Sequence, residues 1–276
     1  MATESRNPRS LGLDSMSAIE IVRLMNEEEG AVLRALHAAE APLAFAAQKA
    51  AEAFQGGGRI IYVGAGTSGR TASADAAEMP PTFGIEPDRF VALVAGGTVA
   101  KDRSVEDAED DIHASITALN QMGATRKDIV IGLAASGSTP FVLSAIHHAQ
   151  QKGIWTCGIA NNRGAPLLQI ADHAILLDTG PEVLTGSTRL KAGTSQKLAL
   201  NRISTIAMVL SGKVIENLMV DVKAKNQKLK DRCARIVCEL TSATRDEAWE
   251  MLEANNWNIR DVIEILKEPE PSRVAG

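Results

Sequence analysis

The residues best suited to chemistry in this chain of 276 residues are two hydroxyl-rich loops and two glutamates. The first loop, Gly64-Ala65-Gly66-Thr67-Ser68-Gly69-Arg70, directly follows the apolar run of residues 59–63 (RIIYV). The second, Ser136-Gly137-Ser138-Thr139-Pro140, follows residues 128–135 (DIVIGLAA). Small residues let backbone N–H groups approach an anion, hydroxyls add donors, and the dipole of a following helix favours negative charge. Either loop alone reads equally well as a turn whose Ser or Thr caps the next helix. Two such loops on strands of one sheet point instead to a phosphate site.

Glu78 lies in Asp75-Ala76-Ala77-Glu78-Met79-Pro80-Pro81. A carboxylate lodged between small residues and a Pro-Pro turn is poorly placed to be only a surface charge. Glu109, in Glu106-Asp107-Ala108-Glu109-Asp110-Asp111, reads on periodicity alone as part of a solvated helix face. No metal-ligand spacing joins either glutamate to His37, His113, His147, His148 or His173, and no Ser/His/Asp arrangement is visible. Gly64, Gly66 and Gly69 meet G-x-G-x-x-G, yet the next apolar run ends in Gly96-Gly97 with no acidic residue for a ribose, so a dinucleotide site is a weak reading. A P-loop spacing is absent. The stretch from Pro181 to Lys191, with Arg189 and Lys191, either completes an anion pocket or is a capped helix start with a solvated lysine.

These loops need rigid elements behind them. Residues 59–63, 90–94, 128–133, 155–160 and 174–178 are short apolar runs of strand type, continuous rather than alternating, as in a parallel sheet covered on both faces. Between them, residues 68–77, 104–122 and 140–151 have helical periodicity, and a long helix is expected over about 189–218. Ahead of the sheet come an arm (1–16) and amphipathic helical text (17–54). Behind it, residues 229–240, 245–255 and 259–266 read as three short helices, ended by Pro269 and Pro271. The expected fold class is therefore α/β, a five-stranded parallel sheet flanked by helices. The expected division is 1–54, 55–222 and a helical module over 223–276.

Composition limits the function. Aromatics at 3% and a net charge of −5 argue against nucleic-acid binding, which needs stacking platforms and concentrated cations. Cys157, Cys233 and Cys238 form no CxxC pair and read as reduced thiols. The polar start MATESRNPRS and the lack of a long apolar window lead to the expectation of a cytoplasmic protein with no membrane span.

The two loops after parallel strands resemble the sugar isomerase (SIS) domain, a five-stranded parallel sheet that binds phosphosugars. More specific strings resemble the N-acetylmuramic acid 6-phosphate etherases: residues 3–8 (TESRNP), 64–70 (GAGTSGR), 78–84 (EMPPTFG), 180–197 (GPEVLTGSTRLKAGTSQK) and 217–222 (NLMVDV). The resemblance covers essentially the whole chain, including a C-terminal module that looks UBA-like. Residues 71–75 (TASAD) depart from the family's more aliphatic run before the glutamate.

The resemblance implies that Glu78 and Glu109 are the catalytic acid–base pair. It also implies that Thr67, Ser68, Ser136, Ser138 and Thr139 hold the phosphate of N-acetylmuramic acid 6-phosphate. The implied reaction is elimination of D-lactate followed by hydration, in peptidoglycan recycling, by a homodimer needing no metal or other cofactor. A phosphosugar sensor similar to the glucokinase regulatory proteins, or an aldose–ketose isomerase, would share the phosphate loops without needing the same carboxylates and flanking strings.

Overall fold

The computed structural model describes residues 1–103, 105, 107–224 and 226–267. It divides into two compact units, Met1–Glu78 with Pro87–Ser211, and Met79–Glu86 with the segment from Gly212. The helices of residues 18–55 thus belong to the same unit as the sheet, and residues 212–222 to the second unit. That division differs from the boundaries expected at 54 and 222.

In the first unit, α1 (Ala18–Ala38) and α2 (Glu40–Gln55) precede β1 (Ile60–Gly64) and α3 (Gly66–Phe83). Then follow β2 (Phe90–Val94), α4 (Ile112–Gln121), β3 (Ile129–Ala134), α5 (Pro140–Gln151), β4 (Trp155–Ala160), α6 (Pro166–Ile170), β5 (His173–Leu176) and α7 (Lys191–Leu210). The five strands are all parallel, in the order β2-β1-β3-β4-β5. β1 and β3 are wholly buried, which explains their unbroken apolar text. Ile61, Val63 and Val130 pack with Leu119 of α4 and Val142 and Ile146 of α5. Tyr62 points to the other face, where its hydroxyl donates to Asp75 of α3, which in turn accepts from Asn201 of α7. Each fully buried Ile or Val contributes roughly 1.5–3 kcal/mol, so an aromatic-poor chain still holds a firm sheet.

Three expectations about helices change. α3 continues through Pro80 and Pro81 to Phe83 rather than turning there. Proline removes the N–H that would bond the carbonyl four residues back, so this last stretch forgoes two helical hydrogen bonds. α4 begins at Ile112, because the Asp111 carboxylate accepts the N–H groups of His113 and Ala114. The start expected at Ser104 lies outside the described residues. α7 ends at Leu210, where the Ser211 hydroxyl donates to the Ala207 carbonyl and the chain turns.

The arm is anchored rather than loose. Thr3 is fully buried and exchanges hydrogen bonds with Asn162, from the Thr3 N–H to Oδ1 and from Asn162 Nδ2 to Thr3 Oγ1. Asn7 is buried and donates to Glu28 at 2.7 Å.

The second unit has its own core. β6 (Val214–Ile215) pairs antiparallel with β7 (Leu218–Met219), and α8 (Gln227–Leu240), α9 (Arg245–Ala254) and α10 (Ile259–Leu266) follow. Val220, Val222, Cys233, Val237, Leu252 and Val262 form one cluster, which explains why residues 212–222 belong here. Thr244 with Glu247 starts α9, and Asn258 caps α10. Pro269 and Pro271 lie outside the described residues. Among those residues no helix is long and apolar enough to cross a membrane.

Candidate active site

Neighbouring strands β1 and β3 send their connections in opposite directions, to β2 on one side and β4 on the other. In open parallel sheets the crevice beyond such a pair is where ligands bind. Gly64 stands in register with Leu133, so the two hydroxyl loops leave the sheet side by side. The first N–H groups of α3 have no partner inside the helix and face this end. Thr67 is half-buried and Ser68 buried; Ser136, Ser138 and Thr139 are half-buried. Gly137 adopts φ +70°, and the Ser138 N–H donates to Ser136 Oγ at 3.2 Å. Pro140 then opens α5 at a position where no N–H is missed.

The first and last glycines of G-x-G-x-x-G have a packing reason. A Cβ on Gly64 would lie 2.8 Å from the Gly69 nitrogen, and one on Gly69 would lie 2.7 Å from the Gly64 oxygen. Strand and helix therefore touch backbone to backbone, whatever the ligand.

The stretch ending at Lys191 resolves as a capped helix start. Glu182 is fully buried, and its two oxygens accept the N–H groups of Lys191 and Ala192 at 3.1 and 2.9 Å. Burial pushes this carboxyl up, partly opposed by those two bonds. Lys191 is itself only 2% exposed and pairs with Glu28, so it is neither solvated nor turned to a ligand. Burial pushes Glu28 up, but hydrogen bonds from Lys191 and Asn7 and the charges of Lys191 and Arg9 outweigh it, and the group ends below its ordinary value.

Glu109 is not on a helix face. Asp107 turns the chain at φ +58°, and residues Ala108–Asp110 form a 3-10 turn ahead of α4. This carries Glu109 to the wall of a cleft of about 230 Å³, lined also by Ala65, Gly66, Arg70, Ala95 and Asp107. The cleft opens beside the start of α3, on the β2 side of β1. A larger hollow of about 390 Å³ follows Ala92–Val94 and α4, but none of the loop hydroxyls and neither glutamate lines it.

Glu78 is placed differently from its expected setting. It is exposed, on a helix that continues past it. It comes twelve residues after Gly66 along α3, about 18 Å at 1.5 Å per residue. One chain thus gathers the five hydroxyl residues and Glu109 at the loop end of α3, and leaves Glu78 apart from them.

Asp75 was legible only as part of a string, and its role became visible with the fold. It is 7% exposed, three residues before Glu78. It accepts hydrogen bonds from Tyr62 Oη (3.0 Å), Asn201 Nδ2 (2.7 Å) and Ser204 Oγ (3.1 Å). Burial pushes its carboxyl up, partly opposed by these donors and by the charge of Lys197. It therefore fastens α3 to β1 and α7. The available sequence signal was an acidic residue on the face of α3 that carries apolar neighbours.

A family model described as the glucokinase regulatory protein N-terminal SIS domain matches residues 43–150, and the SIS domain model matches residues 105–203. Among solved structures, a phosphoheptose isomerase from Francisella tularensis matches with TM-score 0.55 at 18% identity, over 70% of this chain and 98% of that one. A phosphoheptose isomerase from Neisseria gonorrhoeae matches with TM-score 0.52 at 19% identity, over 70% and 97%. At these identities the likeness is one of fold. An N-acetylmuramic acid 6-phosphate etherase of Geobacillus thermodenitrificans is 48% identical over 96% of this chain and 90% of its own length. One of Lactobacillus acidophilus is 44% identical over 97% and 90%. Identity of this level over nearly the whole of both chains means that this chain belongs to the N-acetylmuramic acid 6-phosphate etherase family.

Proposed function

We propose that this protein is a lyase that cleaves the D-lactyl ether of N-acetylmuramic acid 6-phosphate, giving D-lactate and N-acetylglucosamine 6-phosphate. The observation that carries the reading is the side-by-side exit of the two hydroxyl loops beyond β1 and β3, next to the cleft walled by Glu109. The family's full-length likeness supplies the substrate. The sensor reading finds no support in the relatives compared, which are named as etherases.

Thr67, Ser68, Ser136, Ser138 and Thr139, with the free N–H groups of α3, hold the 6-phosphate. Binding energy from that remote group orients C2 and C3. The sugar ring opens so that the C1 aldehyde acidifies the C2 proton. One carboxylate removes this proton while a carboxylic acid protonates the departing lactate oxygen, and the C3–O bond breaks. Water then adds at C3 of the unsaturated aldehyde. Glu78 is assigned as the acid toward lactate and Glu109 as its acid–base partner.

The same reading makes the protein a cytoplasmic homodimer in peptidoglycan recycling. Two features support a second copy. Ile19, Val22 and Leu33 form an exposed apolar stripe on α1. Glu78, exposed and far from the loops of its own chain, is free to meet a facing copy's cleft.

Reaction in ¹⁸O-labelled water tests the chemistry. Cleavage at C3–O leaves lactate with its original ether oxygen and places ¹⁸O on the sugar C3 hydroxyl. Label in the lactate hydroxyl, or no lactate at all, would remove the proposal.

A further inference from the structure

The proposed substrate has two anionic ends, and the hydroxyl loops provide for only one of them, the 6-phosphate. The other is the lactyl carboxylate. Its carbon is bonded to the carbon that bears the ether oxygen, so any group binding it must stand beside the acid–base machinery. Among the described residues lining the cleft with Glu109, Arg70 is the one cation. It sits on the first turns of α3, four residues after Gly66, with its side chain half-buried. Its Nη1 donates to the Ala100 carbonyl at 3.3 Å, which steadies the guanidinium against the short turn Gly97–Lys101 and leaves further N–H donors on the group.

The surroundings suit a carboxylate that is chosen rather than merely tolerated. Ala65, Ala95, Ala100 and Ala108 give small apolar walls, where charge–charge attraction is stronger than in water. The remaining charged residues of the lining are acidic, Asp107 and Glu109, so Arg70 alone offsets repulsion of an anion. A guanidinium fork matches a carboxylate in two parallel hydrogen bonds, which a lysine cannot reproduce. The positions agree with the sugar's own geometry. The phosphate crevice lies between β1 and β3, the Arg70 cleft lies on the β2 side of β1, and Ala65-Gly66 border both. C3 stands three bonds along the carbon chain from the phosphorylated C6, far enough for a sugar anchored by its phosphate to extend its C3 substituent into the neighbouring Arg70 cleft.

Resting on the etherase reading, we infer that Arg70 is the specificity-determining residue that grips the lactyl carboxylate of the substrate. The test compares Arg70→Met and Arg70→Lys with wild type on two ligands, N-acetylmuramic acid 6-phosphate and N-acetylglucosamine 6-phosphate, which lacks the lactyl group. Arg70→Met is expected to raise KM for the first about ten- to hundredfold, the range for losing a hydrogen bond to a charged group. Its inhibition constant for the second should stay within about twofold of wild type, and Arg70→Lys should restore only part of the loss. Equal weakening of both ligands would place Arg70 at the phosphate or in the framework and overturn the inference. An unchanged KM would overturn it too. A substrate whose lactyl carboxylate is converted to the amide keeps the test independent of mutant folding. Wild type should lose on the amide what Arg70→Met loses on the carboxylate, and equal handling of acid and amide by wild type would contradict the inference. Failure of the etherase reading itself would show separately, as absence of lactate release from wild type.

Discussion

Replacing Asp75 by Ala should destabilise the fold in a way set by three hydrogen bonds. Tyr62 is fully buried, and its hydroxyl would lose its acceptor, as would Asn201 Nδ2 and Ser204 Oγ. A buried donor left unpaired costs about 1–3 kcal/mol. The Ser204 hydroxyl can turn to the Asn201 carbonyl, already within 3.4 Å, so Tyr62 carries most of the loss. A total of about 2–4 kcal/mol follows. Asp75→Asn keeps an acceptor for Asn201 and Ser204 and should cost less than about 1 kcal/mol at neutral pH. The two variants also separate by pH. Burial raises the Asp75 carboxyl, so its contribution is complete below the ordinary aspartate value and declines as pH rises through the raised value. The stability gap between wild type and Asp75→Asn should therefore narrow from acid to neutral pH. Urea denaturation across that range measures both quantities. Loss of less than about 0.5 kcal/mol in Asp75→Ala, or a gap that widens as pH rises, would contradict this role for Asp75.

Ser138→Ala should weaken binding of N-acetylglucosamine 6-phosphate by about 1–3 kcal/mol, and an unchanged Kd in a titration would take Ser138 out of the phosphate site. Lys191→Met removes the ammonium partner of buried Glu28, a loss of about 1–3 kcal/mol because Asn7 and Arg9 still pair with that carboxylate; an unaltered urea midpoint would show that the arm and α7 do not depend on that pair. Glu78→Gln and Glu109→Gln subunits, each inactive alone, should recover part of the lactate release when unfolded together and refolded as mixed dimers. No recovery would return Glu78 to the site of its own chain.

The sheet was legible because β1 and β3 are covered on both faces, which writes continuous apolar runs into the text at 59–63 and 128–133. The two hydroxyl loops were legible for a related reason. A run of small residues directly after a buried strand marks a place where something must approach the backbone closely, and the Gly64–Gly69 contact adds a packing constraint in the same string. Polar burial is what the sequence concealed. Nothing local distinguishes Lys191, expected to face solvent or an anion, from a surface lysine; its partner Glu28 is far away in the chain. Thr3 and Asn7 are buried for the same kind of reason, through Asn162 and Glu28. Glu109 was misread as helical because its acidic neighbours mimic a solvated helix face, whereas Asp107 at φ +58° and the Asp111 cap make a turn of it. Pro80 and Pro81 look like a turn, yet α3 includes them, which leaves Glu78 exposed on a helix rather than lodged at its end.

In the proposed reaction, two glutamates break a lactyl ether at a phosphosugar site. D-lactate release from N-acetylmuramic acid 6-phosphate, measured for wild type, Glu78→Gln and Glu109→Gln alongside binding of N-acetylglucosamine 6-phosphate, tests it most directly. Lactate is expected from wild type alone, with the product still bound by all three. Glu78→Gln retaining a tenth or more of wild-type activity, or wild type binding the phosphosugar without releasing lactate, would contradict it.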